Sequence, residues 1–239
     1  MSDVSAWRRL LVAAVVCAAA ACGTTGPPPT PTPNGIQSET GAKILQAATV
    51  AIKGFTSVHM KGLVTTKASA TSPAASIELD LEIVPPHKLL GTMAVAGSGS
   101  VQIITVDGST VAMTGDNAFW TTFGSAKAAA LLGGRCVLVG PSVPGVGEIS
   151  SSVAHDADLS ALLALAGAAP TVGTLSTVDG QDVIGLIGLG AEIDIATHGP
   201  AYLVRVKPGA GTDHLDFDRW NAFTAIGMPA GCQDISQFH

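Results

Sequence analysis

The chain has 239 residues and a formal net charge of −6, and only 13% of its residues are charged. Aromatic residues make up 4% of the chain, and the mean hydropathy of +0.43 is unusually high for a soluble protein. Few Lys and Arg residues on an acidic chain argue against nucleic acid as a partner, because nucleic-acid binding needs basic patches. The same charge balance gives no electrostatic reason to bind anionic lipid.

The first residues have the pattern of an export signal. Arg8 and Arg9 precede the apolar run Leu10–Ala21, which is too short to span a membrane as a helix. The run ends in Ala-Ala-Ala followed by Cys22 and a glycine, which resembles a bacterial lipobox. We therefore expect residues 1–21 to be a lipoprotein signal peptide and the Cys22 thiol to be acylated, for example with palmitate. The alternative is ordinary secretion with cleavage inside the alanine run, and both readings place the domain outside the cytoplasm.

Residues 22–37 are predicted to be a tether between this lipidated cysteine and the domain. Five prolines in the segment GTTGPPPTPTPNG favour an extended polyproline II conformation and prevent the segment from forming a core. Acyl chains, rather than charges, are expected to hold the protein at the cell membrane, with its domain in the periplasm or cell envelope. Residues 38–239 are predicted to form a single domain.

The domain is predicted to open with a helix that starts near Ser38 or Thr40 and ends at Gly54. Its apolar positions are expected at Ile44, Ala48, Ala51 and Phe55. The pattern then changes to the alternation of β-strands, with Asp-Gly turns at 107–108 and 179–180 that predict two hairpins. Strands are predicted at 58–65, 77–83, 88–96, 101–106, 110–114, 118–123, 172–178, 183–189, 191–197, 201–206 and 214–220.

Two helices interrupt the strands. The first is predicted at Ser125–Leu132, and the second, capped by Asp156 or Asp158, carries an apolar face from Leu159 to Leu165. Runs of strands beside segregated helices predict an α+β fold. We expect one large curved antiparallel sheet, a half-barrel, with helices packed over its open, concave side.

The cysteines predict one disulfide. Cys17 leaves with the signal peptide and Cys22 carries the lipid, which leaves Cys136 and Cys232 as a pair in an oxidising compartment. Two free thiols are the alternative.

Several segments in a fixed order carry a family resemblance. They are the leader with Cys22, the proline tether, residues 54–59 (GFTSVH), the turns at 106–108 and 178–183, and residues 215–221 (LDFDRWN). This order resembles the mycobacterial LppX/LprA/LprF/LprG lipoproteins, which are similar in fold to the LolA/LolB carriers. The resemblance implies an apolar cavity that binds an acylated lipid or glycolipid, which is moved or presented between envelope layers. The disulfide pair and the tail from Ala222 onward depart from the pattern.

A lipid cavity would be lined by apolar strand residues, with the Leu159–Leu165 helix as its lid. The same side chains are also explained as ordinary core residues, and methionine would suit a lining that adapts to varied ligands. The predicted lining consists of Val58, Met60, Leu79, Leu81, Met93, Val95, Ile103, Met113, Leu162 and Leu163.

No catalytic motif for hydrolases, metalloproteases, nucleotide-binding proteins or dinucleotide-binding proteins occurs in the sequence. The segment His155–Asp158 is interpreted as a helix start. One strand face carries His214, Asp216 and Asp218, and it is interpreted as a solvated outer face rather than a cation site. His59 is interpreted as a satisfied or exposed histidine. We therefore expect no enzyme activity, cofactor or metal site.

The expected partners are a lipid ligand, the membrane and an envelope lipid transporter, for a monomeric protein. The alternative function is that of a solidly packed surface lipoprotein that acts as a protein-interaction module.

Overall fold

The computed structural model describes residues 32–66, 74–107, 109–140, 159–209, 211–223 and 225–238. Cys22, most of the predicted tether and the segment His155–Asp158 lie outside these residues.

The described residues form one twelve-stranded open sheet, and the two edge strands are not paired with each other. The strands in chain order are β1 Val58–Thr66, β2 Ala75–Val84, β3 Lys88–Val95, β4 Gly99–Thr105, β5 Val111–Gly115, β6 Val137–Val139, β7 Thr171–Val178, β8 Gln181–Gly188, β9 Ala191–Ala196, β10 Leu203–Pro208, β11 His214–Asp218 and β12 Gln233–Asp234. Their spatial order is β12-β6-β5-β4-β3-β2-β1-β11-β10-β9-β8-β7.

The predicted α+β class with one large sheet is confirmed, but the expectation of a purely antiparallel sheet is wrong at one edge. The two-residue strand β12 pairs with β6 in parallel. The tail that leads to β12 first crosses the outer face of the sheet, where Ile226 and Met228 pack near Ile104. It therefore reaches the edge as a separate chain segment rather than through a hairpin, and an antiparallel approach is not required.

Four helices belong to the described residues, at Gly41–Lys53 (α1), Asn117–Phe123 (α2), Ala126–Leu132 (α3) and Leu159–Ala164 (α4). Their buried residues join a single apolar cluster with strand residues, so all four pack on one face, the core face, of the sheet. No helix in the described part of the chain is long and apolar enough to cross a membrane.

The predicted strand at 118–123 is wrong, because this segment is helix α2. The Asp116 side chain accepts the backbone N–H of Phe119 at 2.7 Å and so caps the helix. This hydrogen bond stabilises the carboxylate and lowers the pKa of Asp116. Phe119 and Trp120 are both buried, and burial of adjacent residues fits a helix rather than an alternating strand.

The first predicted helix is confirmed, with a shifted apolar face. α1 starts after Thr40, ends before Gly54, and buries Ile44, Ala48 and Ile52. The spacing i, i+4, i+8 places Ile52 on the buried face, where the sequence interpretation placed Ala51. Phe55 lies beyond the helix end.

Candidate functional site

The ten predicted cavity residues divide into two groups by burial. Nine belong to the core-face cluster or pack against it. The tenth, Val95, pairs with Ile77 on β2, and the alternation of β3 directs its side chain to the same face. Five are buried: Val58, Leu81, Ile103, Met113 and Leu163. The other five are only partly buried: Met60, Leu79, Met93, Val95 and Leu162.

Burial on the core face changes along the strands. At one end of the sheet, Val58, Ile83 and Leu89 pair across β1, β2 and β3 and are all buried. At the other end, Val64 and Ile77 pair across the same strands and are only partly buried. The first is called the tether end, because Asn34 of the predicted tether docks there on Ala196 and Gly199. The second is called the patch end.

The partly buried residues at the patch end define an apolar patch. Each of the adjacent strands β11, β1, β2 and β3 contributes at least one of these side chains. The patch is therefore continuous across the four strands. Its chemistry is apolar, with two adaptable methionine side chains. The patch consists of Met60, Val64, Ile77, Leu79, Met93, Val95 and Leu215.

Gly62 interrupts the patch on β1 for a steric reason. A Cβ atom at this position would lie 2.1 Å from the backbone oxygen of His214 on β11. The backbone of β11 therefore occupies the position that a side chain at residue 62 would take. An extended hydrocarbon chain is a ligand that fits a strip of this chemistry.

Helix α4 contains the predicted lid residues and packs with α1. Leu159 and Leu163 are buried in the core-face cluster, while Leu162 is partly exposed. Leu165 lies past the helix end and is 36% exposed. Whether α4 moves as a lid stays a prediction.

Two surface grooves flank the segment that enters the domain, and neither is lined by a predicted cavity residue. The larger has a volume of about 800 Å³ and runs between this segment, α1 and Pro200–Ala201. The smaller, of about 460 Å³, lies beside Leu175 on the edge strand β7.

The entering segment is fixed by Asn34, a residue that the sequence interpretation assigned to the tether. The Asn34 side-chain amide donates to the carbonyl oxygens of Ala196 at 2.9 Å and Gly199 at 3.0 Å. Its backbone N–H donates to the Thr197 oxygen at 2.9 Å. The Asn-Gly dipeptide at 34–35 was the available signal, because Asn and Gly favour turns.

The resemblance motifs at 54–59 and 215–221 meet at the tether end, and only Leu215 of these residues belongs to the patch. Trp220 stacks on Tyr202 with ring centroids 4.5 Å apart and meets the edge of Phe55 at 5.5 Å. The Asn221 side chain accepts the Thr56 N–H at 2.6 Å and donates to the Tyr202 hydroxyl at 2.7 Å. These motifs therefore join β1, β10 and β11 structurally.

The outer face holds a polar network around His59. This histidine is 6% exposed, and its Nε2 and Nδ1 atoms lie 2.9 Å from Asp80 and 2.5 Å from Asp218. The expectation of a satisfied histidine is confirmed. Among the described residues no cluster of three or more His, Cys, Asp or Glu side chains has metal-site geometry.

The expectation of a solvated outer face is wrong for Asp216, which is 6% exposed. Arg205 on the neighbouring strand covers it and donates two hydrogen bonds, one of them at 2.8 Å from Nη2. The hydrogen bonds to this carboxylate raise the pKa of Arg205. His214 and Asp218 on the same face remain partly exposed.

Asp194 on β9 is a buried acid, 1% exposed. Within the described part of the chain neither of its carboxylate oxygens has a hydrogen-bond partner. Lys207 Nζ lies 3.7 Å away. Burial raises the pKa of Asp194 because it disfavours the charged form.

The predicted disulfide is confirmed between Cys136 and Cys232, with Cα atoms 4.6 Å apart. It joins β6 to the tail that crosses the outer face.

These features define an open-sheet α+β protein with helices on one face, in which the sheet carries an apolar patch at one end. The model of a family described as LppX_LprAFG lipoprotein matches residues 40–133. The resemblance seen in the sequence is therefore confirmed over these residues, where the chain is similar to the LppX/LprA/LprF/LprG lipoproteins.

The solved structure of a lipoprotein, LprF, has the same fold. The chain is similar to LprF from Mycobacterium bovis, with a TM-score of 0.52 and 18% identity over 80% of this chain and 97% of that one. It also matches lipoprotein LppX of Mycobacterium tuberculosis, with a TM-score of 0.46 and 17% identity over 78% of this chain and 98% of that one. No curated protein sequence matches the chain.

Proposed function

We propose that the chain is an exported lipoprotein, anchored to the cell membrane through Cys22, that binds an acylated lipid or glycolipid against the apolar patch. In this proposal it carries or presents the lipid between envelope layers as a monomer and performs no bond chemistry. The match of residues 40–133 to a lipoprotein family supports export and envelope association. An envelope lipid transporter would be the partner that supplies or accepts the lipid.

The observation that carries the proposal is the uneven burial of the core face. Val58 at the tether end is fully buried, whereas Leu79 and Met93 nearer the patch end remain partly exposed on the same face. Full burial of a Leu or Met side chain contributes about 1.5–3 kcal/mol, so partial exposure leaves part of this free energy unused. An acyl chain that covered the patch would recover it, at about 0.8 kcal/mol for each buried CH₂ group.

Native mass spectrometry of the full chain, purified from a lipid-rich host, tests the proposal. We expect a co-purifying acylated species that is lost in Met93→Trp, because the larger side chain fills the patch. Thr92→Trp is the matched control, since Thr92 is exposed and the strand alternation directs it to the outer face. Leu79→Trp is a second patch variant, in case Met93→Trp fails to fold.

A clean protein mass without lipid would contradict the proposal and favour the protein-interaction module. Equal lipid loss in Thr92→Trp and Met93→Trp would show that the patch is not the binding site. For the anchor, Cys22→Ala is expected to release the protein from membranes, and unchanged membrane retention would refute lipidation.

A further inference from the structure

Two neighbouring hairpins have the same turn geometry, but one has a charged residue at its turn and the other has an apolar residue. Asp179 and Gly180 join β7 to β8 with φ values of 48° and 81°. Leu189 and Gly190 join β8 to β9 with φ values of 45° and 83°. Two positive φ values are typical of type I′ turns, which favour Asn-Gly and Asp-Gly. A leucine is disfavoured in this conformation, and such an outlier suggests a function.

The leucine at this turn is the most exposed large apolar side chain among the described residues, at 81%. Ile187, on the strand that leads into the turn, is 50% exposed, and Leu165 is 36% exposed. The loop after α4 reaches the turn, because a Cβ atom on Gly167 would lie 3.2 Å from Leu189 Cγ. Leu165, Ile187 and Leu189 are named the apolar tip.

The turn that carries Leu189 and the loop that touches it are uncharged. The loop 165–170 reads LAGAAP and the turn 188–190 reads GLG, without an ionisable side chain. The nearest charges are those of Glu192, which lies opposite Ile187 in the β8–β9 register, and of Lys207, whose Nζ lies 3.3 Å from Glu192 and pairs with it. An uncharged apolar surface of this kind suits the boundary of headgroups and acyl chains, and it needs no anionic lipid.

We propose that the apolar tip contacts the lipid bilayer, with Leu189 inserted at the interface. This inference rests on the proposed function, because the tip lies at the patch end of the sheet. Strand pairing places Gly188 and Ala191 at that end, whereas Ala196 and the Asn34 docking point lie at the tether end. Contact of the tip with the membrane would therefore present the patch to the lipid it loads or releases.

The anchor permits this orientation. The six residues of β9 separate the two ends by about 20 Å, at roughly 3.3 Å per residue. Ten residues, 23–32, lie between Cys22 and Pro33, and they extend to at most about 31 Å at 3.1 Å per residue in polyproline II geometry. The chain between anchor and domain is thus long enough for the apolar tip to reach the membrane that holds Cys22.

The test uses the full chain with excess phosphatidylcholine vesicles and one added cysteine, Leu189→Cys, that carries an environment-sensitive fluorophore. We expect a blue shift and quenching by lipid-borne quenchers. Asp179→Cys, at the same turn position of the neighbouring hairpin but at the tether end, is the matched control and should stay solvent-like. Labelling is done on protein acylated at Cys22, or on the Cys17→Ser/Cys22→Ser chain where no acyl chain is present, so that the added cysteine is the thiol that reacts; Cys136 and Cys232 form the disulfide.

Solvent-like emission from both labels would overturn the proposal, as would equal quenching of both. A shift at position 189 that disappears when the protein is diluted over more vesicles would indicate a second copy of the chain and would also overturn it.

A second variant separates the tip from folding and from lipid binding. Leu189→Asn places a favoured residue in the turn, so the melting temperature should not fall. Lipid transfer between vesicles should slow about tenfold, because the apolar contact is lost, while the lipid retained in native mass spectrometry stays unchanged. Unchanged transfer would overturn the proposal. If Met93→Trp loses the retained lipid and Leu189→Asn does not, that result concerns lipid binding at the patch. It does not change the readout for membrane contact of the tip.

Discussion

Removal of the disulfide is expected to cause one of the largest stability losses available to a double substitution in this chain. Cys136 and Cys232 are 96 residues apart. The chain-entropy model gives a cost of about 2.1 + 1.5R ln n cal/mol/K for a loop of n residues, which corresponds to about 4.7 kcal/mol at 25 °C. The bond also holds the tail that packs Ile226 on the outer face near Ile104. The double variant Cys136→Ser/Cys232→Ser should therefore lose about 4–5 kcal/mol in its free energy of unfolding.

Urea-induced unfolding followed by tryptophan fluorescence measures this loss. Trp120 lies in α2 and Trp220 in the loop after β11. A single transition reported by both would support a two-state analysis. Wild-type protein with its disulfide reduced should reproduce the double variant. A loss below about 1 kcal/mol would refute the reasoning, because the oxidised chain would then gain little from closing a loop of this length.

Three smaller predictions concern single polar side chains. Asp194→Asn should stabilise the fold by about 1 kcal/mol at pH 7 and by less at pH 3. The folded-state pKa of Asp194 is raised, so ionisation of this group removes stability as the pH rises through that pKa. Equal effects of the substitution at both pH values in urea titrations would contradict this prediction. Asn34→Ala should lower the free energy of unfolding by about 1–2 kcal/mol through loss of three side-chain hydrogen bonds, with thermal melts as the measurement and an unchanged melting temperature as the contrary result. Asp216→Asn should cost about 3 kcal/mol in urea denaturation, because Arg205 loses its carboxylate partner; a loss under about 1 kcal/mol would mean that the pair is effectively solvated.

The sequence predicted the hairpins well because local chemistry determines them. Asp179-Gly180 gives both the place and the type of the turn, and alternation in β2 gives the face that each residue occupies. The segment 118–123 was misassigned because its helix depends on a side-chain cap from Asp116, which alternation alone does not register. The shift from Ala51 to Ile52 on α1 has a similar origin, since a one-residue rotation changes the buried face without changing the helix.

The candidate site could be predicted only in part from the sequence, because the degree of burial of each residue depends on packing. Leu81 and Leu79 are two residues apart on one strand and look equivalent, yet Leu81 is buried and Leu79 is partly exposed. The difference arises from how far each residue lies from the tether end, where helices and strands pack most closely. Asp216 was misjudged for the same reason, because its cover, Arg205, comes from another strand.

Asn34 and the apolar patch lie at opposite ends of the sheet. In the proposed function, the length of the tether therefore limits which end of the domain can reach the membrane. The carbonyl oxygens of Ala196 and Gly199 hold Asn34 at the tether end. A short connection from Cys22 would therefore keep the patch on the far side of the domain, away from the membrane. Ten intervening residues can extend by more than the length of β9. In the proposed function this length allows the same anchored domain to turn its patch end toward its own membrane and away from it, so that loading and delivery require no release of the anchor.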